Sequence, residues 1–178
     1  RASVVEARTP YGPVHEEVIQ FQLAPRINAL GRFGSPMPAV ELLTSVDTGP
    51  DGVRASTTLA REITSVNLQR REAERAIVEE AITRAEAEGQ TADDHPVIVL
   101  ADPGWKRGLV GPACAKLVDR FARPVILFEA CDDGIARGSA RSIEGYSIHA
   151  GLESASEWLE SYGGHAAAAG CSCHLERL

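Results

Sequence analysis

Pro96-Val97-Ile98-Val99-Leu100-Ala101-Asp102-Pro103-Gly104-Trp105 is the stretch at which the chain changes its periodicity. Val97 to Ala101 is an apolar run of strand length, closed by an Asp-Pro-Gly turn signal. After it, apolar runs and helical patterns alternate. The pattern predicts a helix over Leu109 to Phe121, strands over Val125 to Phe128 and Ile135 to Ile143, a helix over Ala150 to Tyr162 and a last strand over Ala168 to Cys173. Strands interleaved with helices in so short a span predict a compact α/β domain with a small sheet.

Upstream, the chain from Thr58 to Glu88 is rich in Ala, Glu and Arg and has Gly89 as its stop. Leu59, Ile63 and Val66, then Ala73, Ile77 and Ala81, recur at steps of three and four and form one apolar stripe. The prediction is a long helix of ~45 Å, enough to bridge two domains. Arg70 continues the stripe, either snorkelling its head to water or lining a cleft. Arg71 and Glu74 stand as i,i+3 neighbours that can pair. Before this helix, Ala39 to Val46 carries a shorter helical pattern.

Composition narrows the function classes. The 178 residues are 44% hydrophobic, enough for one good core, and no apolar run approaches the length of a membrane span. There is no signal peptide pattern, which predicts a cytoplasmic protein. The net charge of -7 argues against a broadly basic nucleic-acid surface, so any binding of polyanions must be local. Lys106 and Lys116 are the only lysines, and arginine, whose planar fork suits phosphate, supplies the rest of the positive charge. Cys114, Cys131, Cys171 and Cys173 show no Cys-x-x-Cys spacing and are expected reduced. On a strand, Cys171 and Cys173 share a face that His174 opposes, so Cys171-Ser172-Cys173-His174 does not assemble a metal clip locally. Asp93-Asp94-His95 precedes Pro96 in a polar stretch and is expected to be a solvated turn.

Two polar clusters stand out. In Arg137-Gly138-Ser139-Ala140-Arg141-Ser142, Ser139 and Arg141 are two apart, so a strand points both to one face and offers a hydroxyl beside a guanidinium to a phosphate. In Tyr162-Gly163-Gly164-His165-Ala166-Ala167-Ala168-Ala169-Gly170, the glycine pair permits close backbone approach and His165 adds a donor or proton shuttle. The plainer alternatives are a helix-to-strand turn at Gly163-Gly164 and a core histidine at His165. Trp105 has two readings as well, a stacking platform for a base or a core anchor at a helix start. A third cluster, Phe21-Gln22-Leu23-Ala24-Pro25-Arg26-Ile27-Asn28-Ala29-Leu30-Gly31-Arg32, sets two arginines and an asparagine in a loop or short helix.

Taken in chain order, these clusters resemble the RecJ family, the single-strand-specific DNA exonucleases of the DHH phosphoesterase superfamily. Between them, Asn67-Leu68-Gln69-Arg70-Arg71-Glu72-Ala73-Glu74 is similar to the family's connecting helix. Leu100 to Trp105 with Gly108-Leu109-Val110-Gly111 is similar to its Gly-Trp-His-x-Gly-Val-Val-Gly segment, and Arg123-Pro124-Val125-Ile126 also fits. The resemblance runs from about Phe21 to Gly170. It departs at Lys106, where the family has histidine; a lysine keeps a donor but accepts no proton near neutrality unless its pKa is strongly depressed.

The resemblance implies an α/β fold, a small mixed-sheet DHHA1-type domain (90–178) preceded by a long connecting helix (58–89) and a short helical remnant of the DHH catalytic domain (1–57). It implies the substrate-binding part of a 5′-to-3′ exonuclease acting on single-stranded DNA in repair and recombination, with two manganese or magnesium ions doing the hydrolysis. The Asp-His-Asp and Asp-His-His motifs that hold those ions are missing, and the chain begins with Arg1. It is therefore expected to be a piece of a longer protein, silent by itself, with no catalytic residue and no metal site of its own. Carried over residue by residue, the substrate-binding set is Arg26, Asn28, Arg32, Trp105, Lys106, Ser139, Arg141, Ser142, Gly163, Gly164 and His165. Two alternatives share the DHHA1-type domain. One is a phosphodiesterase for short oligonucleotides or cyclic dinucleotides; the other is a non-catalytic RNA-binding module.

Overall fold

The structure, a computed structural model, describes residues 15–46 and 49–178. It divides into two compact units, Arg1–Glu72 and Ala73–Leu178.

In the first unit, a helical lead-in (Glu16–Val18, then a π-turn Ile19–Leu23) runs into helix α1, Ala24–Phe33. The segment with two arginines and an asparagine is thus helical. Pro25 sits in its first turn, where no N–H is needed. Helix α2, Met37–Thr44, follows. Leu30, Ala39 and Ile63 form a small buried cluster, flanked by Ile27, Leu42 and Val66.

Helix α3, Pro50–Ala87, runs on from the first unit into the second. It starts eight residues before the expected Thr58 and ends at Ala87, one residue short of the expected Glu88, with Gly89 as the stop that the sequence predicts. Gly89 takes φ +74°, and the Gln90 N–H bonds the Ala85 carbonyl at 2.9 Å, closing the last turn. The Gln90 side chain then acts as a strand neighbour: its amide receives the Val99 N–H at 2.7 Å and donates to the Val99 carbonyl at 3.0 Å. That satisfies an outward-facing edge position of the sheet.

The second unit is built on a five-stranded mixed sheet of order β1-β2-β3-β5-β4, with β1 Ile98–Asp102, β2 Val125–Ala130, β3 Ile135–Arg141, β4 Ser161–Gly164 and β5 Ala168–His174. Only β1 and β2 are parallel, joined by helix α4, Arg107–Phe121; every other pair is antiparallel. Helix α4 packs on β2 and β3, while the short helix α5, Ile148–Ser154, packs against β4 and β5. Phe128, Ala136, Ala140, Ala169, Cys171 and Cys173 form a core with Ile148 and Leu152 of α5. Gly138 lies opposite Phe128, and a Cβ there would stand 2.5 Å from the ring, so only glycine fits.

Two elements differ from expectation. The helix predicted to run to Tyr162 ends at Ser154, is followed by a 3-10 turn, and gives way to β4. Gly163 and Gly164 are therefore strand residues, and the turn lies after them: His165 and Ala168 exchange backbone bonds of 2.8 and 3.2 Å around Ala166-Ala167. A strand of Ser, Tyr, Gly and Gly has little propensity of its own; the β5 ladder imposes it. Arg123, within the Arg-Pro-Val-Ile segment, proves structural, donating to the carbonyls of Gln90, Ala92 and His95. Asp93 and Asp94 lie exposed in the turn that this arginine supports.

Candidate functional site

Strand alternation brings Arg137, Ser139 and Arg141 onto the face of β3 that α4 covers, since Ala136 and Ala140 belong to the opposite core. Ser139 and Arg141 meet the helix at Gly111. A Cβ on Gly111 would stand 3.1 Å from Arg141 Nη2 and 3.3 Å from Ser139 Oγ, so the missing side chain makes the space that both groups occupy. One turn further along α4, the buried Cys114 Sγ donates to the Ser139 carbonyl at 3.1 Å. Burial pushes the Cys114 thiol up to about 12, which keeps it neutral. Arg141 Nη1 donates to the Ala140 carbonyl at 2.8 Å, and no described carboxylate pairs with it, Glu144 included. A half-buried guanidinium next to a hydroxyl, with no carboxylate partner among the described residues, can accept an anion by charge-assisted hydrogen bonds.

Beyond the edge of α4 the same sheet face is open. Gly163 and Gly170 are register partners and Gly170 pairs in turn with Ser139, so Gly163 lies two strand spacings, about 10 Å, from Ser139. These glycines floor a cleft of about 240 Å³, whose walls include Arg107, Arg137, Ser161 and Ser172. A Cβ on Gly163 would meet nothing within 4 Å. Gly164 is different: at φ +143° its Cβ would stand 2.5 Å from both the Ala168 carbonyl oxygen and the Ala169 Cα. The first glycine therefore keeps the cleft open, and the second keeps the hairpin closed.

Arg137 forks onto Asp133, with Nη1 and Nη2 at 3.1 and 2.7 Å from the two carboxylate oxygens. This hydrogen-bonded fork, helped by the Ile135 N–H, holds the Asp133 carboxyl below its usual range, and the same carboxylate holds the Arg137 guanidinium above its own. Ser161 Oγ and Ser172 Oγ lie 2.8 Å apart in the same cross-strand row as Arg137. Glu129 Oε2 accepts the Arg107 N–H at 3.2 Å at the start of α4.

The other residues singled out in the sequence divide as follows. His165 is exposed at the hairpin. The Ser142 hydroxyl donates to the Tyr146 carbonyl at 2.8 Å and its N–H to the Ala167 carbonyl, so it ties the post-β3 turn to the hairpin. Trp105 is only 2% exposed, with Nε1 on Glu80 at 3.0 Å and the Arg84 guanidinium 5.6 Å from its ring. It takes the core-anchor reading, because a ring enclosed in this way offers no face to a base. Lys106 is exposed at the helix start. Glu74 is buried and pairs with Lys116 Nζ at 2.7 Å.

Arg26, Asn28 and Arg32 lie on α1 in the first unit, the latter two exposed. Arg26 is half-buried, donates to the Gln22 carbonyl, and has its pKa lowered by burial and then by the nearby charge of Arg71. Ser161 was not legible, because β4 itself was read as helix; Ser172 on β5 and Arg107 at the start of α4 were not, because only the tertiary arrangement sets them around one cleft. Arg137 was, since the period-two spacing that couples Ser139 to Arg141 extends back by one step. Among the described residues no group of three His, Cys, Asp or Glu converges as metal ligands, so they do not fit a divalent-metal site, and no helix is long and apolar enough to cross a membrane.

A mixed sheet of this order, with a Ser-x-Arg strand and a glycine hairpin on one face, agrees with the family comparison: residues 94–178 match the DHHA1 domain. Over 166 residues, 93% of its length, the chain is 41% identical to the single-stranded-DNA-specific exonuclease RecJ of Bacillus subtilis, of which it spans 20%. Crystal structures of RecJ from Thermus thermophilus superpose as well. The Mg2+ complex matches 97% of this chain and 26% of that one, at a TM-score of 0.77 and 28% identity. The Mn2+ complex matches 88% and 22%, at 0.73 and 30%. The chain belongs to the RecJ family and spans about a fifth to a quarter of these relatives.

Proposed function

We propose that this chain is the substrate-binding part of a RecJ-like exonuclease that degrades single-stranded DNA from its 5′ end, a cytoplasmic enzyme of DNA repair and recombination. Its hydrolysis depends on Mn2+ or Mg2+ held outside the described residues. The first residues to 57 close the catalytic domain, 58–89 link, and 90–178 bind. In the binding part, Ser139 and Arg141 grip the 5′-terminal phosphate or the backbone beside it, Gly163 lines the same face, and Gly164 and His165 shape the hairpin that ends it; in the first part, Arg26, with Asn28 and Arg32 on the same helix, supplies a further phosphate contact. The observation that carries this reading is Arg141, half-buried beside a hydroxyl and without a carboxylate partner. Four free cysteines among the described residues support a reducing compartment.

Arg141→Ala tests it in the full-length enzyme. The substitution is expected to remove a charge-assisted contact of about 1.5–3 kcal/mol and to erase the preference for a 5′-phosphorylated over a 5′-hydroxyl strand, with the melting temperature unchanged. An unchanged end preference together with a lowered melting point identifies Arg141 as a structural residue and removes the reading.

A further inference from the structure

The Ser139–Arg141 pair does not account for the cleft beside it. Arg107 and Arg137 wall that cleft, Ser161 and Ser172 add two hydroxyls in hydrogen-bond contact, and Gly163 and Gly170 leave the floor bare. Arg137 and Arg141 are four residues apart on one strand, about 13 Å at ~3.3 Å per residue. Arg107 is one turn of α4 from Gly111, where Arg141 is seated. One phosphate seated against Gly111 therefore does not reach the far guanidinium. In a chain of net charge -7, two arginines gather on one concave, hydroxyl-lined surface with a glycine floor, where Asp133 on Arg137 and Glu129 at the Arg107 N–H offset their charge until a phosphate arrives.

We infer that Arg107 and Arg137 form a second phosphate subsite, which takes an internal phosphodiester of the single strand whose end the Ser139–Arg141 pair holds, and that Asp133 competes with that phosphate for Arg137. The inference rests on the proposed function and adds a site to it. The fork geometry explains the competition. A carboxylate and a phosphate present the same pair of oxygens to a guanidinium, so Arg137 exchanges one partner for the other or is shared between them. Asp133 lies on the β2–β3 turn, where its Oδ1 also accepts the Ile135 N–H at 3.1 Å, so the competing charge has a fixed position. The glycine floor lets the strand's sugar and backbone lie flat against β4 and β5 without meeting a side chain.

The test is equilibrium binding of a 5′-hydroxyl oligothymidylate to the full-length enzyme across a salt series without divalent metal, beside binding of thymidine 5′-monophosphate. Arg107→Ala and Arg137→Ala should each weaken oligonucleotide binding about 3- to 10-fold and lower the salt slope by about 0.7 per lost phosphate contact, leaving the mononucleotide unaffected. Asp133→Asn keeps the turn acceptor but drops the charge, and should tighten oligonucleotide binding. Three results overturn the subsite: no change in affinity or slope for Arg137→Ala, equal loss of mononucleotide binding, or weaker binding in Asp133→Asn. The Arg141→Ala end-preference measurement separates the two ideas. If that variant loses its end preference while Arg137→Ala is silent, only the second subsite falls; if Arg141→Ala is silent, the terminal-phosphate reading falls by itself.

Discussion

The two units of this chain solve the problem of burial differently. In Ala73–Leu178, Ile98, Leu100, Leu109, Leu117, Val125 and Leu127 are buried, and the sheet carries a packed face on each side over most of its width. In Arg1–Glu72 the buried cluster is small, while Phe21 is 68% and Val46 91% exposed, and Met37, Val40 and Leu43 also face outward. There Asn67 is buried with its Oδ1 lacking a hydrogen-bond partner among the described residues. A sheet with helices against it has its core within itself, whereas short helices on a segment of a longer helix do not enclose one. The stability of this chain should therefore reside in the second unit.

The sharpest way to break that contrast is Leu127→Ala at the centre of the sheet. It should cost about 2–5 kcal/mol in denaturant unfolding, as large-to-small changes in a closed core do. A cost below ~1 kcal/mol would mean that the second unit is as loosely packed as the first. Next comes the glycine pair. Gly164→Val should cost about 1–3 kcal/mol through strain at positive φ and collision with β5, whereas Gly163→Val should leave the melting temperature in place and, under the proposed function, weaken oligonucleotide binding by the full-length enzyme by filling the cleft. If both variants melt early, the cleft floor is structural.

A pH effect of intermediate size follows from the buried thiols. Cys114 and Cys171 are both pushed up to about 12 from an ordinary value of 9.0, chiefly by burial. The folded state then binds more protons than the unfolded state above pH 9, so the stability they contribute is complete below that pH and is lost as pH rises from 9 towards 12. Cys114→Ala should flatten the fall in unfolding free energy over that window; an unaltered slope would exclude this thiol as its source. The smallest effect belongs to the first unit. Phe21→Ser should change stability by less than ~0.5 kcal/mol and raise solubility, as checked by calorimetry and light scattering, because the ring has little burial to lose.

Much of the fold was legible because its signals are local. Apolar runs placed β1, β2, β3 and β5, Gly89 placed the end of α3, and period two placed Ser139 and Arg141 on one face. What failed was β4. Ser161-Tyr162-Gly163-Gly164 carries no strand propensity, and the preceding Ala150 to Tyr162 reads as helix until the chain turns at Ala155. With β4 went Ser161 and the pairing that sets it beside Ser172 of β5, and with that pairing the cleft that Arg107 of α4 also walls. Trp105 shows the converse error. A turn signal followed by tryptophan is compatible with a stacking platform or an anchor, and only Glu80 and Arg84, more than twenty residues earlier on α3, decide between them.

The α/β class, the long helix, the family to which the motifs belong and the residue types suited to phosphate were all legible in the sequence. These depend on periodicity, turn chemistry and spacing within a few residues of one another. Only the tertiary structure decided that Gly111 makes room for Ser139 and Arg141, that Asp133 holds Arg137, and that Gly163 and Gly170 lie side by side as an open floor. Each of those is a contact between elements distant in sequence or a property of space left empty, and neither has a local signature. Sheet register sets both, because the pairing of β3 with β5 and of β5 with β4 determines which side chains share the face that α4 leaves uncovered.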